Sequence, residues 1–406
     1  MNGMTFAHIP KSWTVARLKH FLHVQSGDMI SAEEETTEGI PIIGGNGVRG
    51  YTDKSNSRGP ALVIGRVGAH CGCIHLVSSD FWASEHALVV YPRRYFNLRF
   101  ARYLLEVLDF NSQAIRTAQP LINTGIVENT IGAFPPERQQ LLIADFLDRE
   151  TARLDALVAA KEWLLELLAE KRRALITRAV TRGLNPDVPL RDSGVSWLGQ
   201  IPEHWETERA KWLFHERDER SESGEEELLT VSHLTGITPR SEKDVNMFEA
   251  ETTEGYKLCY PGDLVINTLW AWMGAMGVSS IHGIVSPAYN VYTPNERLDP
   301  AYVDALVRIP VFAQEATRFS KGVWSSRLRL YPDGLFEIWM PVPPLEEQRT
   351  IVAHIWAETA KLNALRKAAE RTIGLLKERR AALIAAAVTG KINSLSSFAE
   401  SPGNWV

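Results

Sequence analysis

The chain repeats itself, and that repeat limits its possible folds more than any other feature. Residues 135–181 begin PPERQQLLIADFLDRETARLDAL and end EKRRALITRAVT; residues 343–389 begin PPLEEQRTIVAHIWAETAKLNAL and end ERRAALIAAAVT. A constant shift of 208 aligns them without a gap, and 22 of the 47 pairs are identical. A second echo, IPKSWTVARLKHFL from Ile9 and IPEHWETERAKWLF from Ile201, has a shift of 192. Each half is therefore a start motif, a variable domain and a long repeated segment. Two copies of one unit imply pseudo-twofold symmetry and a ligand contacted twice. The segments between the echoes hardly resemble each other, so the two contacts should differ in what they read.

Between Pro136 and Gly183 the first repeat has no Gly or Pro, which predicts one unbroken helix. The second runs from Pro344 to Gly390 with Gly374 as its one weak point. At ~1.5 Å per residue each helix would be roughly 65–70 Å long, too long to sit inside one small domain. Ile143, Leu147, Glu150, Leu154, Leu157, Lys161, Leu164, Leu168, Lys171 and Leu175 follow 3–4 spacing. The second copy gives Ile351, Ile355, Glu358, Leu362, Leu365, Ala369, Thr372, Leu376, Arg379 and Leu383. Such a pattern is a coiled-coil seam. In an antiparallel pair Glu150 would face Arg379 and Glu358 would face Lys171, setting register more than stability; the alternative puts these four charges beside the seam, solvated. An antiparallel pair would place the variable domains at opposite ends of a rigid spacer.

No apolar run approaches the ~20 residues of a bilayer span, and MNGMTFAHIPKSW has neither the basic nor the apolar region of a signal peptide. Three cysteines are too few for a disulfide framework, so a cytoplasmic location is expected. Cys71-Gly-Cys73, with His75 and His86 nearby, lacks the usual zinc spacing, and no metal site is expected. The net charge is −5, and residues 186–343 hold 14 Lys/Arg against 24 Asp/Glu, including Glu225–Glu227. A nucleic-acid ligand would need basic side chains gathered on one face, with the acidic stretch from Glu203 to Glu254 pointing elsewhere.

The first variable domain contains IPIIGGNGVRGYTDKSN, GPALVIGRVGAHCGCIHLV and FWASEHALVVYP, short β-rich runs between glycine turns. The second has CYPGDLVINTLWAWMGAMGVSSIHGIVSPAYNVYTP, a helical AYVDALVRIPVFAQEATRFSKG, then WSSRLRLYPDGLFEIWMPVPP. The change of shift from 192 to 208 gives it 16 extra residues, assigned to the acidic 216–255 stretch. The fold class expected is α+β: two mixed α/β domains separated by two long antiparallel helices, at 1–134, 135–185, 186–342 and 343–392, with a tail at 393–406. GGNGVRG lacks the context of a phosphate loop or a dinucleotide site. Neither a methyltransferase signature nor clustered acids at metal spacing are present. Polar, basic and aromatic residues instead stand on glycine-flanked turns: Asn46, Arg49, Tyr51, Lys54, Arg66 and His70, then Trp270, Trp272, Tyr289, Asn290, Lys321, Trp324, Ser325, Ser326, Arg327 and Arg329. Glycine lets backbone approach phosphate, and Arg and Asn offer bidentate edges to bases.

These segments resemble a known family, the specificity (S) subunits of type I restriction-modification systems. The resemblance rests on LRDSGVSWLGQIPEHWE at 190–206, its weaker copy IPKSW at 9–13, PPLEEQRTIVAHI, and EKRRALITRAVTRGLNP at 170–186. DLVINTLWAWMGAMGV with HGIVSPAYNVY, and ALVIGRVGAHCG with FWASEHALVVY, are similar to its target recognition domains. The resemblance implies a non-catalytic subunit whose two domains each read half of an asymmetric bipartite site in double-stranded DNA. It further implies a helical spacer docking two methyltransferase (M) subunits, and a complex that also takes motor-nuclease (R) subunits. S-adenosylmethionine, ATP and Mg would belong to those partners. The family's Ser/Ala-rich turn before each helix corresponds to Thr117-Ala118-Gln119-Pro120 and Ser325-Ser326-Arg327-Leu328, which assigns DNA contact to Gln119 and Arg327. The same resemblance makes Glu150, Leu154, Leu157, Leu164, Lys171, Glu358, Leu362, Leu365, Leu376 and Arg379 spacer or subunit-interface residues. Two other readings remain at this stage: a stand-alone DNA nuclease, and a structural coiled-coil adaptor binding only protein.

Overall fold

The two sequence echoes meet each other in the fold. A computed structural model describes residues 9–69, 71–93, 96–116, 119–242, 252–322 and 328–392. An indole N–H removed from water needs an acceptor. Trp13 of the first start motif donates to Gln139 Oε1 at 2.9 Å, and Trp205 of the second donates to Glu347 Oε2 at 3.0 Å. Gln139 and Glu347 are equivalent under the 208 shift, Trp13 and Trp205 under the 192 shift. Each start motif thus latches onto the first turn of the long helix that follows its own domain. An antiparallel ribbon completes each latch: Thr14–Arg17 pairs with Ile131–Phe134, and Glu206–Arg209 with Trp339–Val342.

The long helices are Glu137–Arg182, 46 residues, and Leu345–Val388, 44 residues. The second runs through Gly374 unbroken, where a Cβ would meet nothing within 4 Å. The chain divides into two compact units, drawn from Met1–Glu162 with Glu370–Val406 and from Trp163–Ala369. This division cuts across the five segments read from the sequence, because each unit takes half of each long helix. In the first unit Arg380 Nε meets Asp155 Oδ1 at 3.0 Å and Lys377 meets Glu162 at 3.3 Å. Ile143 and Leu147 share a buried core with Ile384, Ala387 and Val388. One number rises as the other falls, so the halves run antiparallel. In the second unit Ala179 and Val180 share a core with Ile351, Val352 and Ile355, in the same sense. Burying each Ile, Leu or Val among them contributes about 1.5–3 kcal/mol.

The seam departs from its expected line at two repeated positions. Leu157 and Leu365 are 45% and 57% exposed, while half-buried Val158 continues the first seam from buried Leu154. A straight helix turns once per ~3.6 residues, so a strict 3.5 stripe drifts off the contact line. Lys171 and Arg379 are exposed for the same reason, and Arg380 rather than Arg379 crosses to the facing helix. Glu150 pairs with Arg149 at 3.3 Å. Glu358 meets Lys361 at 2.6 Å, and its carboxyl is held below the usual range first by that bond and further by Lys171 nearby. Leu362 is buried; Leu164 and Leu376 are half-buried.

The variable domains carry the same sheet despite their unlike sequences. In the first unit the four strands are ordered Leu22–Ser26, Ala87–Pro92, Ala61–Gly65, Ile74–Val77. In the second the order is Phe214–Arg217, Tyr289–Pro294, Leu264–Asn267, Met276–Val278. All neighbours are antiparallel, and Leu62 faces Val90 as Leu264 faces Tyr292. The shift is 192 at the first strand of each sheet and 202 at the other three. Ten of the 16 extra residues therefore fall before the central strand, in the span holding the acidic stretch. The other six fall after the sheet, where the second unit adds the helix Pro310–Arg318. The sequence placed all sixteen in the acidic stretch because only the outer echoes were alignable.

Each sheet is tied to its long helix by a buried glutamine. Gln140 accepts from Asn97 N–H at 3.0 Å and donates to Pro135 O at 2.9 Å. Gln348 accepts from Asp299 N–H and donates to Arg297 O and Pro343 O, all at 2.8 Å. Asn97 and Asp299 are themselves the N-caps of the helices Leu98–Val107 and Pro300–Val307.

Candidate nucleic-acid interface

In both units the loops converge at one end of the four-stranded sheet, where the strand Ala61–Gly65 or Leu264–Asn267 finishes. In the first unit Arg66 N–H donates to His86 O at 2.9 Å, and Ile122 N–H donates to Arg66 O at 2.9 Å. Gly68 N–H reaches Pro120 O at 3.1 Å. A Cβ added to Gly45 would lie 3.4 Å from His86 O and 3.5 Å from Val67 O, so the Gly44–Gly47 turn seats directly on these loops. Asn46 and Gln119 are exposed there, and Arg66 is half-buried. Thr117, Ala118 and His70 lie outside the described residues.

Arg49, Tyr51 and Lys54 sit on or just after the hairpin Ile40–Gly44/Gly47–Thr52. The first and last are not free cations. Arg49 pairs with Glu35 at 2.9 Å; Lys54 pairs with Glu34 and lies 5.1 Å from the Trp82 ring centroid. Serial sequence reading saw the basic turn but not the acidic turn folded beside it. Tyr51 remains exposed.

In the second unit Leu330 N–H donates to Thr268 O at 3.2 Å and the Thr268 hydroxyl to Ala288 O at 2.8 Å. Trp270 is 50% exposed and stacks on Trp272, centroids 6.0 Å apart at 25°. Trp272 donates to Leu269 O at 3.0 Å, and Gly274 closes this turn at φ 84°, where a side chain would strain the backbone. Tyr289 is half-buried, and burial pushes its phenol up. Asn290 is buried, its Oδ1 3.1 Å from Nζ of buried Lys257. It occupies the second position of a strand rather than a turn, and alternate strand residues face opposite ways. Its side chain serves the interior. Lys321 pairs with Asp333, and Arg329 is exposed. Trp324, Ser325, Ser326 and Arg327 lie outside the described residues.

Sequence reasoning passed over Glu85 as a site residue and weighed His86 only as a zinc ligand. Their signal was available: two charged or titratable residues interrupt an apolar run just before the strand Ala87–Pro92. His75 is partly buried, and burial, then Arg102, lowers its pKa, so it is neutral at pH 7. Among the described residues no group of three or more His, Cys, Asp or Glu could hold a metal ion. None of the described helices is long and apolar enough to cross a membrane.

Like sheets with unlike loop ends, each packed in its own unit with parts of the long helices, define a class of protein built as one frame twice over. The comparisons agree with that class. Residues 10–166 match the model of the type I restriction modification DNA specificity domain. The chain is 32% identical over 135 residues to the EcoprrI type I restriction enzyme specificity subunit of Escherichia coli, covering 33% of each protein. It is 19% identical over 298 residues to the EcoDI specificity subunit of Escherichia coli, covering 68% of this chain and 65% of that one. These matches span a third and just under two thirds of those relatives. A solved chain from work on "complex assembly and conformational transition of the type I R-M system" has the same fold: TM-score 0.70, 17% identity, 94% of this chain and 98% of that one. The HsdS subunit of Thermoanaerobacter tengcongensis gives 0.54 and 17%, covering 96% and 100%. Residues 10–166 are thus similar to the type I restriction modification DNA specificity domain, and the chain shares the fold of the HsdS subunit of Thermoanaerobacter tengcongensis.

Proposed function

We propose that this chain is the DNA-sequence specificity subunit of a type I restriction-modification complex and is itself non-catalytic. Each unit reads one half of an asymmetric bipartite target with the loop end of its four-stranded sheet. The reading rests chiefly on one observation: the same strand order and register is built twice, with unlike side chains at the same end. A repeated frame with divergent tips suits two unlike half-sites.

The long helices serve as the docking frame for two M subunits, and R subunits join the assembly. Leu157 and Leu365, and likewise Leu167 and Leu375, are exposed at repeat-equivalent positions. Apolar side chains open to solvent at matched places suit one partner bound twice. S-adenosylmethionine, ATP and Mg are handled by those partners.

The test is reconstitution of the chain with its M subunits and mapping of methylated adenines on genomic DNA. Methylation confined to one two-part sequence supports the reading; methylation without sequence preference refutes it. Magnesium-dependent cleavage by the chain alone would establish the nuclease alternative, and absence of any salt-sensitive DNA shift by the assembled complex would establish the protein-only adaptor.

A further inference from the structure

The two recognition ends differ most in chemistry at the corner formed by Arg66, Glu85 and His86. In the first unit Arg66 follows the strand Ala61–Gly65, and Glu85-His86 precedes the strand Ala87–Pro92. Arg66 and Glu85 are neighbours that do not form an ion pair. Arg66 Nη1 reaches the Glu85 backbone carbonyl at 3.4 Å, whereas Glu85 Oε1 turns to His86 Nε2 at 3.3 Å. Arg66 Nε and Glu85 Oε2 are buried and bond to nothing among the described residues. The Arg66 guanidinium thus reaches the Glu85 backbone but not its carboxylate, leaving one donor and one acceptor unpaired. Leaving such groups unpaired is costly, and a ligand that pairs both recovers the cost.

The register-matched corner of the second unit is an internal control. There Thr268, Pro287 and Ala288 replace Arg66, Glu85 and His86 under the shift of 202, and the Thr268 hydroxyl is satisfied by Ala288 O at 2.8 Å. One corner is uncharged and satisfied; the other is charged and holds polar atoms without a partner among the described residues.

We propose that Arg66 and Glu85 together read a single G·C base pair from the major groove. Arg66 donates to guanine O6 and N7, and Glu85 accepts from the cytosine N4 amine. The order acceptor, acceptor, donor on that edge belongs to G·C, since A·T places its donor between two acceptors. The Glu85 and His86 side chains keep open surface, so a rotamer change presents them to a base edge. The half-site read by the second unit has no such charged pair at this place. The assignment rests on the DNA-reading function proposed above.

The experiment uses the full chain assembled with its M subunits, methylating a duplex library randomised across the target. Glu85→Gln and Arg66→Lys are compared with wild type; lysine keeps the charge but loses the fork. The wild type should require a G·C pair at one position of one half-site. Each variant should relax that requirement roughly ten-fold, with every other position and the second half-site unchanged. Unchanged preference in both variants overturns the assignment, as does a uniform loss of preference over both half-sites. A wild-type consensus lacking any required G·C pair also overturns it. If one variant fails to assemble, the other decides. A wild-type complex that methylates without sequence preference refutes the function itself; a specific wild type with unaltered variants refutes only the Arg66–Glu85 reading.

Discussion

Replacing Gln348 with leucine separates hydrogen bonding from helix formation, because the two residues have nearly equal helix propensity. Gln348 is 0% exposed and holds three backbone groups: Asp299 N–H, Arg297 O and Pro343 O. Removing one partner and leaving a buried polar group unsatisfied costs about 1–3 kcal/mol per group. The Pro343 bond is fully buried and the other two are partly buried, so Gln348→Leu should cost roughly 3–5 kcal/mol. Gln140, its repeat equivalent, holds only Asn97 N–H and Pro135 O, and Gln140→Leu should cost roughly 2–3 kcal/mol. Urea denaturation followed by far-ultraviolet circular dichroism measures both, with the slope checking that unfolding still exposes the same surface. The two sites share no partner, so the double variant should equal their sum within about 0.5 kcal/mol. A cost below about 1 kcal/mol for Gln348→Leu, or a larger cost for Gln140→Leu, would refute the view that these glutamines tie domain to helix.

Three further outcomes are expected. Leu365→Glu leaves the isolated chain's stability within about 0.5 kcal/mol, since the side chain is largely exposed, but abolishes assembly with M subunits on gel filtration; a normal complex defeats the docking proposal. Burial pushes the Cys259 thiol up to about 12, so at pH 8 it stays protonated, and alkylation of native protein read by mass spectrometry should label half-buried Cys73 well before Cys259; equal rates contradict the packing. On the proposed function exposed Arg329 is assigned a phosphate contact, so Arg329→Ala should weaken binding to all sequences alike and lower the salt slope by about one; altered sequence preference would contradict it.

The long helices were legible in the sequence because helix formation depends on neighbours three and four residues apart, which the chain carries along its own length. Pro136 and Gly183 mark ends that the fold reproduces within a residue or two. The start motifs were legible as echoes, and the reason for their tryptophans appeared only when Trp13 met Gln139, 126 residues away. Partnering across the fold also decided which candidate site residues stay available: Arg49 and Lys54 are matched by Glu35 and Glu34, and Asn290 by buried Lys257. Arg66 stands in the sequence on a glycine-flanked turn, whereas the place of Glu85 next to it came only from the fold.

What the sequence by itself determined is the frame: two copies, their helices, and the unlikeness of what lies between. What only the tertiary structure decided is that the unlike parts are built on the same sheet topology. A buried central strand asks for apolar residues and a compatible register, conditions that Ala61–Gly65 and Leu264–Asn267 meet with the same Leu-Val-Ile run set in otherwise unlike surroundings. Helix repeats are held by near-neighbour constraints along their whole length and keep many letters, whereas strand pairing rests on backbone bonds that most side chains permit, so letters persist chiefly in the buried central strand. The recurrence of the sheet is therefore written in hydrogen bonds, and the difference between the two tips in side chains.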